Sequence, residues 1–213
     1  MFSPGAVLAA QATVALVIVG LVVGVPAFGT WREAAYQALG EPVAQPIPFS
    51  HKHHVGDDGI DCRYCHTTVE TSRHAGFPST RICLTCHSQL YTDAPVLAAL
   101  HESGRTGIPI AWRRVHTLPD FVYFDHGVHV AKGVACVECH GHVDQMPLTW
   151  RAKPLQMQWC IDCHRSPAPH LHPRASIFDP RATAVSASEA ANLARLMHLE
   201  SQQRLTDCST CHR

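Results

Sequence analysis

One five-residue word, Cys-x-x-Cys-His, recurs five times and sets the terms for any fold. The copies are Cys62-Arg63-Tyr64-Cys65-His66, Cys83-Leu84-Thr85-Cys86-His87, Cys136-Val137-Glu138-Cys139-His140, Cys160-Ile161-Asp162-Cys163-His164 and Cys208-Ser209-Thr210-Cys211-His212, and they use all ten cysteines. A spacing of three puts both thiols on one side of a helical turn, with an imidazole directly after them. This is the attachment signature of c-type haem, in which the thiols add to the porphyrin vinyl groups and the imidazole binds iron from one side.

Two plainer readings compete. A Cys-x-x-Cys pair alone is often a zinc knuckle or a redox disulfide. Zinc ribbons take ligands in fours, however, and five pairs divide badly into such sites. Neither chemistry asks for His after the second Cys. With 17 His in 213 residues, a chance His after all five pairs has odds of roughly three in a million.

The chain is long enough for one or two domains. Fifteen Pro, thirteen Gly and 7% aromatic residues are poor material for a large sheet or a long-helix bundle. Five porphyrins would be the largest apolar bodies present. The expected fold is therefore a multihaem cytochrome c: mostly irregular, with short α-helices wrapped around five covalently attached haem c groups. One N-terminal transmembrane helix is added to this. A formal net charge of zero gives no support for a nucleic-acid partner. Arg outnumbers Lys fourteen to three, which reads either as forks for haem propionates or as composition bias.

Residues 6–28 are apolar except for Gln11 and Thr13. As a helix they would span about 34 Å, enough for a bilayer. A cleaved signal peptide is the rival, since Val25-Pro26-Ala27 resembles a small-residue cleavage site. No basic residue precedes the apolar run, which favours an uncleaved anchor. Haem c is attached after export, so everything beyond Phe28 is expected on the outer, periplasmic face of a bacterial inner membrane. Residues 31–39 are expected to form a short interfacial helix ended by Gly40. Residues 41–48, rich in Pro, read as an extended strap.

The haem region repeats internally. Phe49-Ser50-His51-Lys52-His53-His54 precedes the first word and Phe124-Asp125-His126-Gly127-Val128-His129 the third; both are F-x-H-x-x-H. The resulting parse is an anchor at 1–30, an interfacial helix and linker at 31–48, and a first dihaem module with connecting helix at 49–123. A second dihaem module follows at 124–175, and a C-terminal helix with the fifth haem at 176–213. Residues 93–103 predict a helix with Pro95 in its first turn and Gly104 as its stop. Residues 112–124 suit a strand or extended segment. Ser186-Ala187-Ser188-Glu189 is a capping box that opens a helix to about Leu205.

Five irons need ten axial ligands. Five are the word histidines, His66, His87, His140, His164 and His212. His51, His54, His126 and His129 are the strongest distal candidates, one imidazole of each pair facing its own haem and the other, a turn on, reaching a neighbour. One iron remains short. Met146 or Met157 could supply it, which would raise that haem's potential; Met as packing filler is the default. Otherwise the ligand comes from His53, His74, His101, His116, His142, His170, His172 or His198. No catalytic residue set of its own is evident.

These motifs resemble the class III multihaem cytochromes. The run from Trp112 through His116, Pro119, Phe124 and His126, with Cys136 to Gly141 and Gln158-Trp159-Cys160, is similar to the pentahaem subunit of alternative complex III. The resemblance covers roughly residues 49–175; a hexahaem relative in a periplasmic quinone reductase complex has similar segments, but a sixth haem word is lacking here. It implies a set of partners: an iron–sulfur/molybdopterin-like subunit, integral membrane quinol-binding subunits and monohaem cytochromes c. Electrons from quinol would pass to a periplasmic cytochrome, a copper protein or a terminal oxidase. Two other functions stay open, a stand-alone anchored electron shuttle and, in a different class, a multihaem reductase with an open iron position.

Overall fold

The computed structural model describes residues 3–36 and 39–212 and divides into two compact units, Met1–Ala38 and Leu39–Arg213. The first is one helix, α1 (Pro4–Tyr36). Its stretch Pro4–Trp31, of mean hydropathy 2.5, is long and apolar enough to cross a membrane, and its apolar side chains are exposed. The hydroxyls in it are satisfied internally, Thr13 donating to Ala9 O at 2.9 Å and Thr30 to Ala27 O at 3.0 Å, as a helix in hydrocarbon requires. The separate interfacial helix expected at 31–39 is absent among the described residues. Helix-forming residues carry α1 on without a stop to Tyr36, and positions 37 and 38 lie outside the described residues.

The second unit is built of short helices: α2 (Cys62–Cys65), α3 (Thr80–His87), α4 (Ala98–Thr106), α5 (His126–Ala131), α6 (Cys136–His140), α7 (Met157–Arg165), α8 (Ala187–Leu196), α9 (Gln202–Leu205) and α10 (Cys208–Cys211), with a π-helical turn at Lys52–Asp57. Among the described residues there is no β-strand, only isolated bridges. The buried apolar set is small and scattered, including Ile47, Leu100, Met146, Leu171 and Leu193. That suits a chain whose largest apolar contacts are meant for something other than itself.

Four expectations are refined. The strap at 41–48 is docked, with bridges Leu39–Arg151 and Pro42–Trp150 and Val43 N donating to Thr149 O at 3.2 Å. Residues 112–124 form no strand, because Gln45 occupies the edge: its side chain accepts from Arg113 N at 2.9 Å and donates to Arg113 O at 2.8 Å. The helix through Leu100 does not stop at Gly104. That glycine lets Leu84 pack close, since a Cβ there would stand 2.6 Å from Leu84 Cδ1. The stop is Gly107, left-handed at φ 73°.

The C-terminal helix also differs. Ser186 caps α8 as expected, accepting from Glu189 N at 3.3 Å, but α8 ends at Leu196. His198 turns left-handed at φ 47°, and Lys132 Nζ donates to the Met197 and His198 carbonyls at 2.8 and 3.0 Å. Those carbonyls are turned toward the ammonium instead of continuing the ladder. Ser201 then restarts the chain as α9.

Candidate haem centres

Each word folds into one helical turn that sets its cysteines side by side and its imidazole at the exit. Words one and five are free-standing turns, α2 and α10, capped by Asp61 and Asp207 carboxylates accepting from Arg63 N and Ser209 N, both at 2.8 Å. Words two and four end the longer helices α3 and α7, and word three is α6. All ten cysteines are free. Burial pushes most thiols up, Cys163 to about 11 and Cys139 to about 12. Among the described residues, no three His, Cys, Asp or Glu side chains gather closely enough to hold a metal ion. The zinc reading therefore finds no support.

The imidazoles share one pattern. A carbonyl can only accept, so a ring nitrogen bonded to one must carry the proton and leaves the other nitrogen as a lone pair. His66, His87, His164 and His212 donate Nδ1–H to Gly76 O (2.8 Å), Leu90 O (3.2 Å), Leu205 O (2.8 Å) and Phe121 O (3.0 Å). His54 and His129 donate to the carbonyl four residues back, Ser50 O at 2.9 Å and Asp125 O at 2.7 Å. His126 donates to Arg73 O at 2.9 Å, and His51 Nδ1 pairs with the Thr149 hydroxyl at 2.8 Å. Fixing a ring through one nitrogen while the other stays open is how proteins hold metal-ligating histidine.

The phenylalanine of F-x-H-x-x-H now has a reason. Phe49 stacks on His54 at 4.5 Å and stands edge-on to His51 at 4.9 Å. Phe124 does the same with His129 at 4.5 Å and His126 at 4.7 Å. One ring thus aims two imidazoles differently.

Two imidazoles bound to opposite faces of one metal, at about 2 Å per metal–nitrogen bond, leave their ring centroids roughly 6 Å apart. Three pairs stand so: His54 with His87 at 6.1 Å, His126 with His140 at 6.4 Å, and His129 with His164 at 6.1 Å. Burial depresses His51 to about 4 and His140 to about 3, and His129 is lowered too, so these rings stay neutral, the form that binds iron. The residues present fit haem c.

The words also have an order in space. Tyr64 Oη bonds Thr85 Oγ1 at 2.7 Å, joining words one and two. Words one and three share the segment at Ile177 and Phe178: Cys62 Sγ lies 3.6 Å from Phe178 O, and Cys136 N donates to Ile177 O at 3.1 Å. Words three and four meet through Glu138, whose carboxylate accepts from His170 Nδ1 at 2.9 Å and His172 Nε2 at 3.0 Å. Its charge reaches both Cys139 and Cys163. Words four and five meet where His164 donates to Leu205 O and where the Cys160 thiol feels Cys211. The sequence of neighbours is two, one, three, four, five.

The two methionines part company. Met146 is 2% exposed, shut into the core, while Met157 opens α7 at 70% exposure, one turn before Cys160. His142 donates to Pro180 O at 2.9 Å in the pattern of the assigned ligands, whereas His53 faces Asp58 at 3.6 Å. Sequence reasoning missed the Glu138 clamp and Thr149. His172 is 1% exposed, and the doublet His170-x-His172 was its only signal.

Residues 122–213 match the family model described as cytochrome c7 and related cytochrome c. Over 123 residues the chain is 40% identical to the menaquinone reductase, multiheme cytochrome c subunit, of Nitratidesulfovibrio vulgaris (Hildenborough). That alignment takes in 57% of this chain and 56% of the relative, so the chain spans about half the length of the curated relative it matches. Both likenesses support a multihaem cytochrome with covalently bound haem c.

Proposed function

We propose that this chain is the pentahaem electron-transfer subunit of a membrane quinol:acceptor oxidoreductase of the alternative complex III kind. Its haem domain would lie on the periplasmic side of the inner membrane, with α1 as a single-pass anchor. The observation that carries the reading is the set of eight imidazoles fixed at Nδ1 and open at Nε2, drawn from the haem words and the repeated F-x-H-x-x-H. When bound, haem c supplies reversible one-electron chemistry at iron. Cys62, Cys65, Cys83, Cys86, Cys136, Cys139, Cys160, Cys163, Cys208 and Cys211 would tether five such groups. His66, His87, His140, His164 and His212 would be the proximal ligands, and His51, His54, His126 and His129 four of the distal ones.

Met157 is our choice for the remaining ligand, since its side chain is open and α7 carries it beside the fifth word, whereas Met146 is enclosed. The relative's name places that protein in a quinone-linked complex, and membrane subunits with monohaem cytochromes are the partners this reading asks for. The chain's own residues hold and orient; quinone chemistry would fall to those partners.

Detergent extraction of the membrane separates this reading from its rivals. A subunit co-purifies with several large membrane proteins, a shuttle emerges alone, and a reductase shows a high-spin ferric band that cyanide shifts. Mass spectrometry should count five covalent haems on the purified chain; two or fewer would end the reading. Met157→Leu should lower one reduction potential. No shift there, with a high-spin signal in His142→Ala instead, would move the last ligand to His142.

A further inference from the structure

The assigned axial imidazoles differ in how their rings are held. Eight have an acceptor on Nδ1, as described above. Among the described residues His140 has none. Its flank is covered by another ring: His116 stands edge-on to it, with centroids 4.3 Å apart and planes at 81°. His116 lies on the irregular stretch 110–125, away from any helix that could aim it, and its Nε2 is buried without a hydrogen-bond partner. A nitrogen left unpaired in this way is unfavourable. The ring is therefore not placed here for its hydrogen bonds, and its contact with His140 is what remains to explain it.

The three axial pairs differ in twist. His126 and His140 are 7° from parallel, His129 and His164 are at 34°, and His54 and His87 at 67°. Nearly parallel rings are not forced by the repeat, because the matching phenylalanine contacts are alike in both copies. One ring of the parallel pair, His126, is held by Arg73 O. The other has only His116 beside it.

We infer that His116 is a positioning residue for the third haem word, its ring edge holding the plane of His140 parallel to that of His126. The inference rests on the haem reading proposed above. It has a direct spectroscopic consequence. Parallel axial imidazoles split the iron d orbitals and give a rhombic low-spin ferric signal. Rings near a right angle leave those orbitals close in energy and give a single signal at large g.

The test is low-temperature electron paramagnetic resonance on the fully oxidised holoprotein, with haems counted by mass on the same sample. The wild type should show a rhombic signal from the near-parallel pair and a large-g signal from the His54–His87 pair. In His116→Ala the rhombic signal should move toward larger g while the others stay. His116→Phe, which keeps the ring edge and loses the nitrogens, should keep the wild-type signal. If His116→Ala changes nothing, or His116→Phe shifts as far as alanine does, the inference falls. Should His116→Ala lose a haem, His116→Leu takes its place, filling the volume without a flat edge; an unmoved rhombic signal there overturns the inference. A wild type carrying too few haems would instead strike the haem reading.

Discussion

The two F-x-H-x-x-H copies begin alike and end in different surroundings. In the first, His51 leads into the π-helical turn Lys52–Asp57; in the second, Asp125 caps an α-helix, α5, accepting from Val128 N at 3.2 Å. Each copy aims its second imidazole by the same bond to the carbonyl four residues back. Each first imidazole is held by the other module, His51 by Thr149 and His126 by Arg73. Gly127 makes this possible, since a Cβ there would stand 3.2 Å from Glu70 O. The modules are thus reciprocal at the hinge and unequal beyond it. The second is wrapped by the C-terminal segment through the Glu138 clamp, Ile177, Leu205 and the Lys132 bonds. The first has α4 packed on α3 and little else.

Replacing a cysteine pair should break the comparison most visibly. Cys136→Ser with Cys139→Ser removes the haem at the centre of the neighbour order and should leave a chain that resists export and folding. The same change at Cys83 and Cys86, at one end of that order, should leave a folded protein short of one haem by mass. Equal yields of the two would contradict the wrapped and open description.

His126→Ala comes next. It should convert one haem toward high spin without detaching it, and His51→Ala should do likewise in the first module. An unchanged spectrum for either strikes that residue from the ligand set.

Glu138→Ala leaves the buried His172 N–H without its acceptor, which costs about 1–3 kcal/mol. A lower Tm with all haems retained is the expected result. Acid should act in the same direction. The histidines bonded to Glu138 hold its carboxyl below the ordinary value against the opposing effect of burial. That stabilisation is present above the unfolded carboxylate pKa and fades as pH falls through the folded one. His140, lowered by burial to about 3, binds no proton in the fold while the unfolded chain takes one up below its ordinary value of 6.5, so stability again falls with pH from 6.5 toward 3. Hydrogen exchange followed against pH should show the second module loosening first. The smallest effect is Tyr64→Phe, which loses an exposed bond to Thr85 and should cost about 0.5–1.5 kcal/mol, read as a slight Tm shift.

The haem words, the ten thioether positions and nine of the candidate ligands were legible in the residues themselves. That chemistry depends on neighbours a few positions apart, and short-range spacing survives into any fold. Capping at Ser186 was legible for the same reason. The helix stop at Gly104 misled because a glycine can end a helix or admit a neighbour, and only Leu84 decides which.

What the order of residues determined alone is the local chemistry: where thiols pair, where an imidazole follows, and which segment is apolar enough to enter a membrane. The tertiary structure decided the rest. It chose the backbone carbonyls that fix each ring, the parallel or twisted setting of each pair, the order of the words in space, and the enclosure of Met146 against the openness of Met157. Backbone carbonyls are present at every residue and so leave no mark in a sequence. Which of them meets a given imidazole depends on contacts between segments far apart in the chain, and those exist only once the chain has packed.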